Sequence, residues 1–206
     1  MTDGIIFDVD GTLWDSTTVV EKAYNKALRE FGITDITIKA DDLKKLFGLP
    51  MDDIIKVLLP DSSEEVRKKF KPICFSYEED HLRKEAGTVY PGLEETLKVL
   101  SGKYPLFIVS NCQAGYIELF FEKTGLGKYF KDHTCPGDTG LLKAGNIKYI
   151  AEKNGLKCPV YVGDTHMDEE ACREAGVPFV FASYGFGHGI KPDYVIDALP
   201  DLARLF

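Results

Sequence analysis

Ile5-Ile6-Phe7-Asp8-Val9-Asp10-Gly11-Thr12-Leu13 decides how the rest of this chain is read. Ile5, Ile6 and Phe7 form a short apolar run of the kind that makes a buried strand. Two carboxylates follow at alternate positions, and Gly11 then ends the strand. Ligands of open α/β sheets sit outside the carboxyl ends of the strands, so Asp8 and Asp10 stand where chemistry is done. Asp-Gly is equally ordinary turn chemistry. The nine residues alone leave both readings open, and the later strand ends have to decide.

Beyond Leu13 the character changes. From Asp15 to about Leu82 the chain is rich in Lys, Glu, Asp and Leu without strand-like alternation. Val19, Val20, Ala23, Tyr24, Ala27, Leu28 and Phe31 recur at helical spacing, and Gly32 stops that helix. Asp41 to Phe47 predicts a second helix ended by Gly48, and Met51 to Leu59 a third closed by Pro60. Asp61-Ser62-Ser63-Glu64 reads as an N-cap for a longer helix through Leu82. Pro72 argues for a kink or break in it, because proline removes a helical hydrogen bond.

After Tyr90-Pro91-Gly92, strands alternate with helices. Pro105 to Val109, a stretch near His133-Thr134-Cys135, Pro159 to Val162, Pro178 to Ala182 and Asp193 to Ile196 predict five further strands. Helices are expected over Leu93 to Leu100, Tyr116 to Thr124, Asn146 to Asn154 and Asp168 to Ala175. This alternation indicates a parallel sheet covered on both faces. The expected fold is therefore α/β, a Rossmann-like parallel-sheet core with a small α-helical cap inserted after the first strand. The core would comprise residues 1–14 and 83–206 and the cap residues 15–82.

The 206 residues are 44% hydrophobic and 28% charged, as in an ordinary globular protein. A formal net charge of −8 argues against sequence-independent nucleic-acid binding, which needs clustered Lys and Arg. Five cysteines without a Cys-x-x-Cys pair suit a reducing, cytoplasmic setting better than a disulfide framework. The first strand begins close to Met1, leaving no room for a signal peptide, and no apolar run is long enough to span a bilayer. No nucleic-acid and no membrane partner is expected, a small anionic substrate stays compatible with the charge because a local pocket can be positive, and the chain is expected to be a monomer or weak dimer.

The strand ends carry Asp8 and Asp10, Ser110 and Asn111, and Gly163, Asp164 and Asp168, with Lys143 just before a helix. Each suits a phosphate held with a divalent metal. Mg2+ takes one or two carboxylates plus phosphate and water oxygens, which Asp8 and Asp164 could supply. A carboxylate can attack phosphorus, and one two residues on, like Asp10, can move protons with a raised pKa. Ser110 and turn amides can donate to phosphoryl oxygens, and Lys143 can neutralise developing charge. Taken singly, each has a plain alternative: Asp164 a turn former, Asp168 a helix N-cap, Lys143 a solvated lysine, Ser110 a strand-end hydroxyl.

The four segments together resemble the haloacid dehalogenase-like phosphohydrolase superfamily. Asp8-Val9-Asp10-Gly11-Thr12-Leu13 is similar to its first motif and Ser110-Asn111 to its second. Lys143 in Gly140-Leu141-Leu142-Lys143-Ala144-Gly145-Asn146-Ile147 is similar to the third, and Gly163-Asp164-Thr165-His166-Met167-Asp168 to the fourth. The position of the helical insert, Val89-Tyr90-Pro91-Gly92 and Ala182-Ser183-Tyr184-Gly185-Phe186-Gly187 look like the phosphoglycolate phosphatase and β-phosphoglucomutase branch. The phrase after Lys143 departs from that branch, where a proline-rich run is usual.

The resemblance implies a Mg2+-dependent phosphatase of small phosphate monoesters, phosphoglycolate-like or sugar phosphates, working through an aspartyl-phosphate, and so a small phosphorylated metabolite as partner. Asp8 would be nucleophile and metal ligand. Asp10 would be general acid/base, with its backbone carbonyl on the metal. Ser110 and the amides of Asn111 and Gly11 would bind phosphate, with Lys143 stabilising charge. Asp164 would ligate the metal, and Asp168 would be an outer metal-site residue or a partner of Lys143. The alternatives are a sugar-phosphate mutase and a catalytically idle binding or regulatory protein. His166 is expected to be incidental, Cys112 to be packing, and Trp14 to pack where the chain enters the insert. Gly48-Leu49-Pro50, with Lys44 and Lys45 nearby, is either a cap loop that dips into the site or a simple turn.

Overall fold

A computed structural model describes all 206 residues. Its centre is a parallel sheet of six strands: β1 (Gly4–Phe7), β4 (Leu106–Val109), β5 (Phe130–Thr134), β6 (Pro159–Gly163), β7 (Phe179–Ala182) and β8 (Tyr194–Ile196). Their order is β5-β4-β1-β6-β7-β8, every neighbour parallel. Two further strands, β2 (Trp14–Asp15) and β3 (Thr88–Val89), form a separate antiparallel ladder. Between them lie α1 (Thr17–Glu30), α2 (Ala40–Leu46), α3 (Met51–Leu58) and α4 (Glu64–Lys84). The rest comprises α5 (Leu93–Ser101), α6 (Tyr116–Thr124), α7 (Pro136–Thr139), α8 (Lys143–Lys153), α9 (His166–Ala175) and α10 (Leu202–Leu205).

The alternation of side chains along β1 explains why the sheet is covered twice. Ile5 and Phe7 enter the larger apolar core, together with Leu93, Leu97, Ile117 and Phe120 of α5 and α6. Ile6 points the other way, into a second core with Phe107, Tyr161, Ile147 and Ile150 of α8, and Ala171 and Cys172 of α9. All four β1 residues are buried. Near-continuous apolar strands of this kind belong to parallel sheets with helices on both faces.

The register sets the site. Phe7 is level with Ile108 on one side and Val162 on the other. Asp8 thus leaves the sheet level with Val109 and Gly163, and Ser110 and Asp164 lie one residue further along the neighbouring strands. The chain runs outward from β1 to β4 and β5, then crosses back to β6 on the other side of β1, so the edge at β1 is the topological switch point, where open α/β sheets bind ligands.

Each strand expected from sequence is present. β5 starts earlier than the stretch near His133, at Phe130, and the short β2–β3 ladder has no sequence counterpart. The long helix expected through Leu82 is present despite Pro72: α4 runs through the proline as one helix of 21 residues. Both Pro72 and Lys68, whose carbonyl loses its helical partner, are exposed, so water replaces the missing bond. The α4 face that matters for packing carries Phe70, Cys74, Glu78 and Leu82, all buried. No helix is long and apolar enough to cross a membrane.

Trp14 pins the exit from β1. It is fully buried and meets Tyr116 and Phe120 edge-on, with ring centroids 6.0 and 5.1 Å away. Deleting so large a buried ring leaves a cavity the surroundings cannot fill. Trp14→Ala is expected to cost about 3–5 kcal/mol, measured as a fall in the urea midpoint by far-ultraviolet circular dichroism.

Candidate active site

The loop after β1 is folded back on itself. The amides of Thr12, Leu13 and Trp14 converge on the Val9 carbonyl at 3.2, 2.8 and 3.3 Å, and the Gly11 N–H donates to the Trp14 carbonyl at 2.9 Å. Gly11 has φ +79°, and a Cβ there would stand 2.1 Å from Oδ2 of Asp164. Only glycine allows both the left-handed turn and that approach. The loop after β7 closes in from the other side: the Phe186 N–H donates to Asp164 Oδ2 at 2.7 Å, and a Cβ on Gly185 would lie 2.3 Å from that of Asp164. Thr12 donates its hydroxyl to Asp164 Oδ1 at 3.1 Å. Asp164 is thus clamped by two loops that its own strand does not reach.

Asp168 sits in the first turn of α9, and donors surround it. Oδ2 accepts from the amides of Asp164 and Thr165 and from the Thr165 hydroxyl, at 3.2, 2.9 and 2.7 Å. Oδ1 accepts from Lys143 Nζ at 2.6 Å, with the Tyr161 hydroxyl at 3.2 Å. Lys143, the first residue of α8, also comes within 3.3 Å of Asp8 Oδ1. Its hydrogen bond goes to Asp168, and Asp8 Oδ1 is left buried with no hydrogen-bond partner.

The resulting electrostatics are lopsided. Asp8, Asp164, Asp168 and Lys143 are all buried, so one cation answers three acids. Burial pushes Asp8 up to about 6 despite the opposing Lys143 charge. Burial, then repulsion from Asp168 and Asp8, drives Asp164 well above the usual carboxylate range. Burial also disfavours the Asp168 anion, but the Lys143 charge and the Thr165 donors outweigh it and hold Asp168 below its ordinary value. Lys143 loses by burial and gains more from Asp168 and Asp8, so it stays protonated.

The carboxylate oxygens of Asp8, Asp164 and Asp168 lie within 4.8 Å of one another. An all-oxygen set with uncompensated negative charge and an orphaned buried oxygen on Asp8 fits a hard dication such as Mg2+. Asp168 has the least free capacity of the three, because donors already occupy both its oxygens.

Asp10 points elsewhere. Its Oδ1 accepts from Ser16 at 2.6 Å and Tyr116 at 2.8 Å. Burial raises it to about 7, partly offset by those two hydroxyls. Ser110, Asn111, Asp8 and Asp10 line one side of a cavity of about 40 Å3; Tyr24, Phe47, Gly48, Leu49, Met51, Ile54 and Glu78 come from the helical insert. The Asn111 side-chain amide donates to the Gly48 carbonyl at 2.8 Å, and the Gly48 backbone lies close against Thr165. Glu78 is buried, accepts from Tyr24 at 2.7 Å and Gln113 at 3.3 Å, and is raised by burial to about 7.

A family model described as haloacid dehalogenase-like hydrolase matches residues 5–182. The chain belongs to this family. Among similar proteins, a phosphoglycolate phosphatase of Vibrio parahaemolyticus serotype O3:K6 is 28% identical over 221 residues, covering 98% of this chain and 94% of that protein. A phosphoglycolate phosphatase of Agrobacterium fabrum is 30% identical over 205 residues, covering 93% of this chain and 87% of the other. The fold matches a haloacid dehalogenase-like hydrolase from Streptococcus pneumoniae with a TM-score of 0.88 at 22% identity, covering 100% of this chain and 98% of that one.

In this family member Asp8, Asp10, Gly11, Ser110, Asn111, Lys143, Asp164 and Asp168 are brought together around one sheet edge, but two stand differently from expectation. The Gly11 amide is already taken by Trp14, so in this conformation Gly11 contributes shape rather than a donor to phosphate. The Asn111 amide has no partner within the chain and is free for that purpose. Of the two expectations for Asp168, the geometry brings out the pairing with Lys143. His166 is exposed and faces only Glu169, and the Cys112 thiol is driven well up by burial and by Cys135 beside it. Sequence reading missed Ser16, Tyr116, Glu78 and Tyr24. Tyr24, Glu78 and Tyr116 have the spacing of buried helix positions and Ser16 stands just before α1, and nothing local marks them as facing a cavity.

Glu78 gives a pH test. Its folded pKa lies above the 4.5 of the free group, so the native state holds this proton more tightly than the unfolded chain. Its contribution to stability therefore falls as pH rises from about 4.5 to 7. Glu78→Gln should remove that loss. The variant is expected to gain on the order of 2 kcal/mol on the parent at pH 8 and little at pH 5, measured by urea unfolding of the metal-free protein at both pH values.

Proposed function

We propose that this chain is a Mg2+-dependent phosphatase that hydrolyses a small phosphate monoester through an aspartyl-phosphate on Asp8. Family membership and the names of its relatives place it among the phosphoric monoester hydrolases. The observation that carries the mechanism is the buried, unpartnered Oδ1 of Asp8, 3.3 Å from the Lys143 ammonium. A buried carboxylate oxygen without a hydrogen bond is costly, and here the only charge that answers it is the Lys143 ammonium, in a residue that lines the cavity.

Asp8 and Asp164, with the Asp10 backbone carbonyl, would hold Mg2+, which when bound neutralises charge on the phosphoryl oxygens. The Ser110 hydroxyl and the Asn111 amide donate to those oxygens, and Lys143 keeps Asp8 ionised. An Asp8 oxygen bonds to phosphorus as the ester P–O bond breaks, and Asp10 gives its proton to the departing oxygen. Water then attacks phosphorus, Asp10 takes its proton back, and the Asp8–phosphorus bond breaks to release inorganic phosphate. A group held near 7 by burial, as Asp10 is, suits both proton transfers at neutral pH. Ser16 and Tyr116 fix its orientation.

Residues 15–82 act in this reading as a cap domain over a core of residues 1–14 and 83–206. The cavity has room for only a few waters, so the cap must lift for an ester to enter. Its return shuts water out of the transfer step, and the Asn111–Gly48 hydrogen bond is the latch at the site edge.

Asp8→Asn should lower kcat for phosphate release by more than ~1000-fold while circular dichroism and thermal midpoint stay near the parent's. Chelation with EDTA should abolish release, and Mg2+ should restore it. Near-parent turnover by Asp8→Asn on a broad panel of phosphomonoesters would overturn the covalent mechanism.

A further inference from the structure

The cavity wall is unusual in what it lacks. None of its lining residues is Lys, Arg or His. Lys143 lies behind Asp8, held by Asp168. Lys44, the nearest lysine expected from sequence, is turned to Asp15 at 3.9 Å and Asp41 at 3.5 Å. The first turn of α3 carries Asp52 and Asp53, so the positive end of that helix is already answered.

What the wall does hold is acceptors. Glu78 comes down from α4, and its two hydrogen bonds from Tyr24 and Gln113 use about half of what a carboxylate can accept. Asn111 donates its side-chain NH2 to the Gly48 carbonyl, which fixes the amide and leaves Oδ1 buried without a donor. Both belong to the same cavity as Asp8 and Asp10. An unmet buried acceptor costs roughly 1–3 kcal/mol, and an arriving hydroxyl recovers it. A carboxylate arriving there would meet the Glu78 anion and the Asn111 oxygen, with no Lys, Arg or His in the cavity lining to receive it.

We propose that the cavity selects phosphate esters whose leaving group carries a hydroxyl close to the ester carbon, received by the Glu78 carboxylate and Asn111 Oδ1, and rejects leaving groups that carry a carboxylate there. This rests on the phosphatase reading and narrows it. It also separates this chain from what the names of its phosphoglycolate phosphatase relatives would suggest, because glycolate is a carboxylate-bearing leaving group.

Two matched pairs test it by phosphate release with Mg2+ at pH 8, where Glu78 is ionised. Glycerol 3-phosphate and 3-phosphoglycerate differ only in a terminal CH2OH against a carboxylate, and so do ethylene glycol monophosphate and 2-phosphoglycolate. The hydroxyl member of each pair is expected to have at least a tenfold higher kcat/KM. Glu78→Gln should shrink that ratio severalfold, chiefly through KM, and a thermal midpoint near the parent's shows that the variant folds. A parent enzyme that prefers the carboxylate member, or a ratio unchanged in the variant, overturns the proposal. p-Nitrophenyl phosphate separates the two levels. If it is hydrolysed while the carboxylate members win, only the selectivity proposal falls; if neither it nor any ester releases phosphate, the phosphatase reading falls with it.

Discussion

One buried lysine sets the terms for the whole sheet edge. Lys143 is bonded to Asp168 at 2.6 Å and lies 3.3 Å from Asp8, all three side chains out of solvent. A buried charge survives only if it is paired and hydrogen-bonded. Asp168 meets that condition fully: the Thr165 side chain and the amides of Asp164 and Thr165 supply the remaining donors. The α9 capping box is therefore also the floor under Lys143, and the start of α8 is drawn to the end of β6 by charge as well as by apolar packing. The pair consumes almost all of the local positive charge. Asp8 and Asp164 are left in excess, and this imbalance, rather than any single residue, is what a bound dication would offset.

Shape enforces what charge requires. Asp164 can be buried because Thr12 and the Phe186 amide donate to it, and they reach it only because Gly11 and Gly185 lack side chains. The chain before the insert and the chain after β7, far apart in sequence, are thus fitted around the same carboxylate. Tyr184 adds a second tie by donating its hydroxyl to the Thr12 carbonyl at 2.9 Å.

The sheet and its carboxylates were legible because their signals are local. Ile5-Ile6-Phe7 followed by two acids and a glycine is a strand, an edge and a stop in sequence order, and each later strand ends in polar residues in the same way. The four helices of the insert were legible from apolar periodicity and from Gly32, Gly48 and Pro60. The helix through Leu82 was legible too, and Pro72 only complicated it, because proline's local cost depends on exposure and the Pro72 face of α4 is open to solvent. Tyr116 and Glu78 were not legible for a different reason. A buried polar residue in a helix has the spacing of the core, and whether it meets a cavity depends on how two distant segments dock. Gly11 shows a limit of the same sort. Its motif position is readable, but the pairing of its amide with Trp14 depends on a turn that closes three residues later.

The sheet-edge acids and the part of the cavity wall that the insert supplies therefore have different physical origins. The acids lie at strand ends whose register the backbone ladder dictates, so the same arrangement can recur across a family with little shared sequence. The wall comes from α1, α3, α4 and the Gly48 loop, positioned by apolar contacts such as Phe31 against Phe70, whose ring centroids are 5.4 Å apart. Those contacts constrain where a helix lies but not which polar residue it turns inward. A glutamate at position 78 is tolerated there because Tyr24 and Gln113 stand ready to donate, at a cost that grows as it ionises. Chemistry at phosphorus can thus stay constant while the leaving group changes, since in the proposed reading one of the two groups that receive it, Glu78, is not positioned by the sheet.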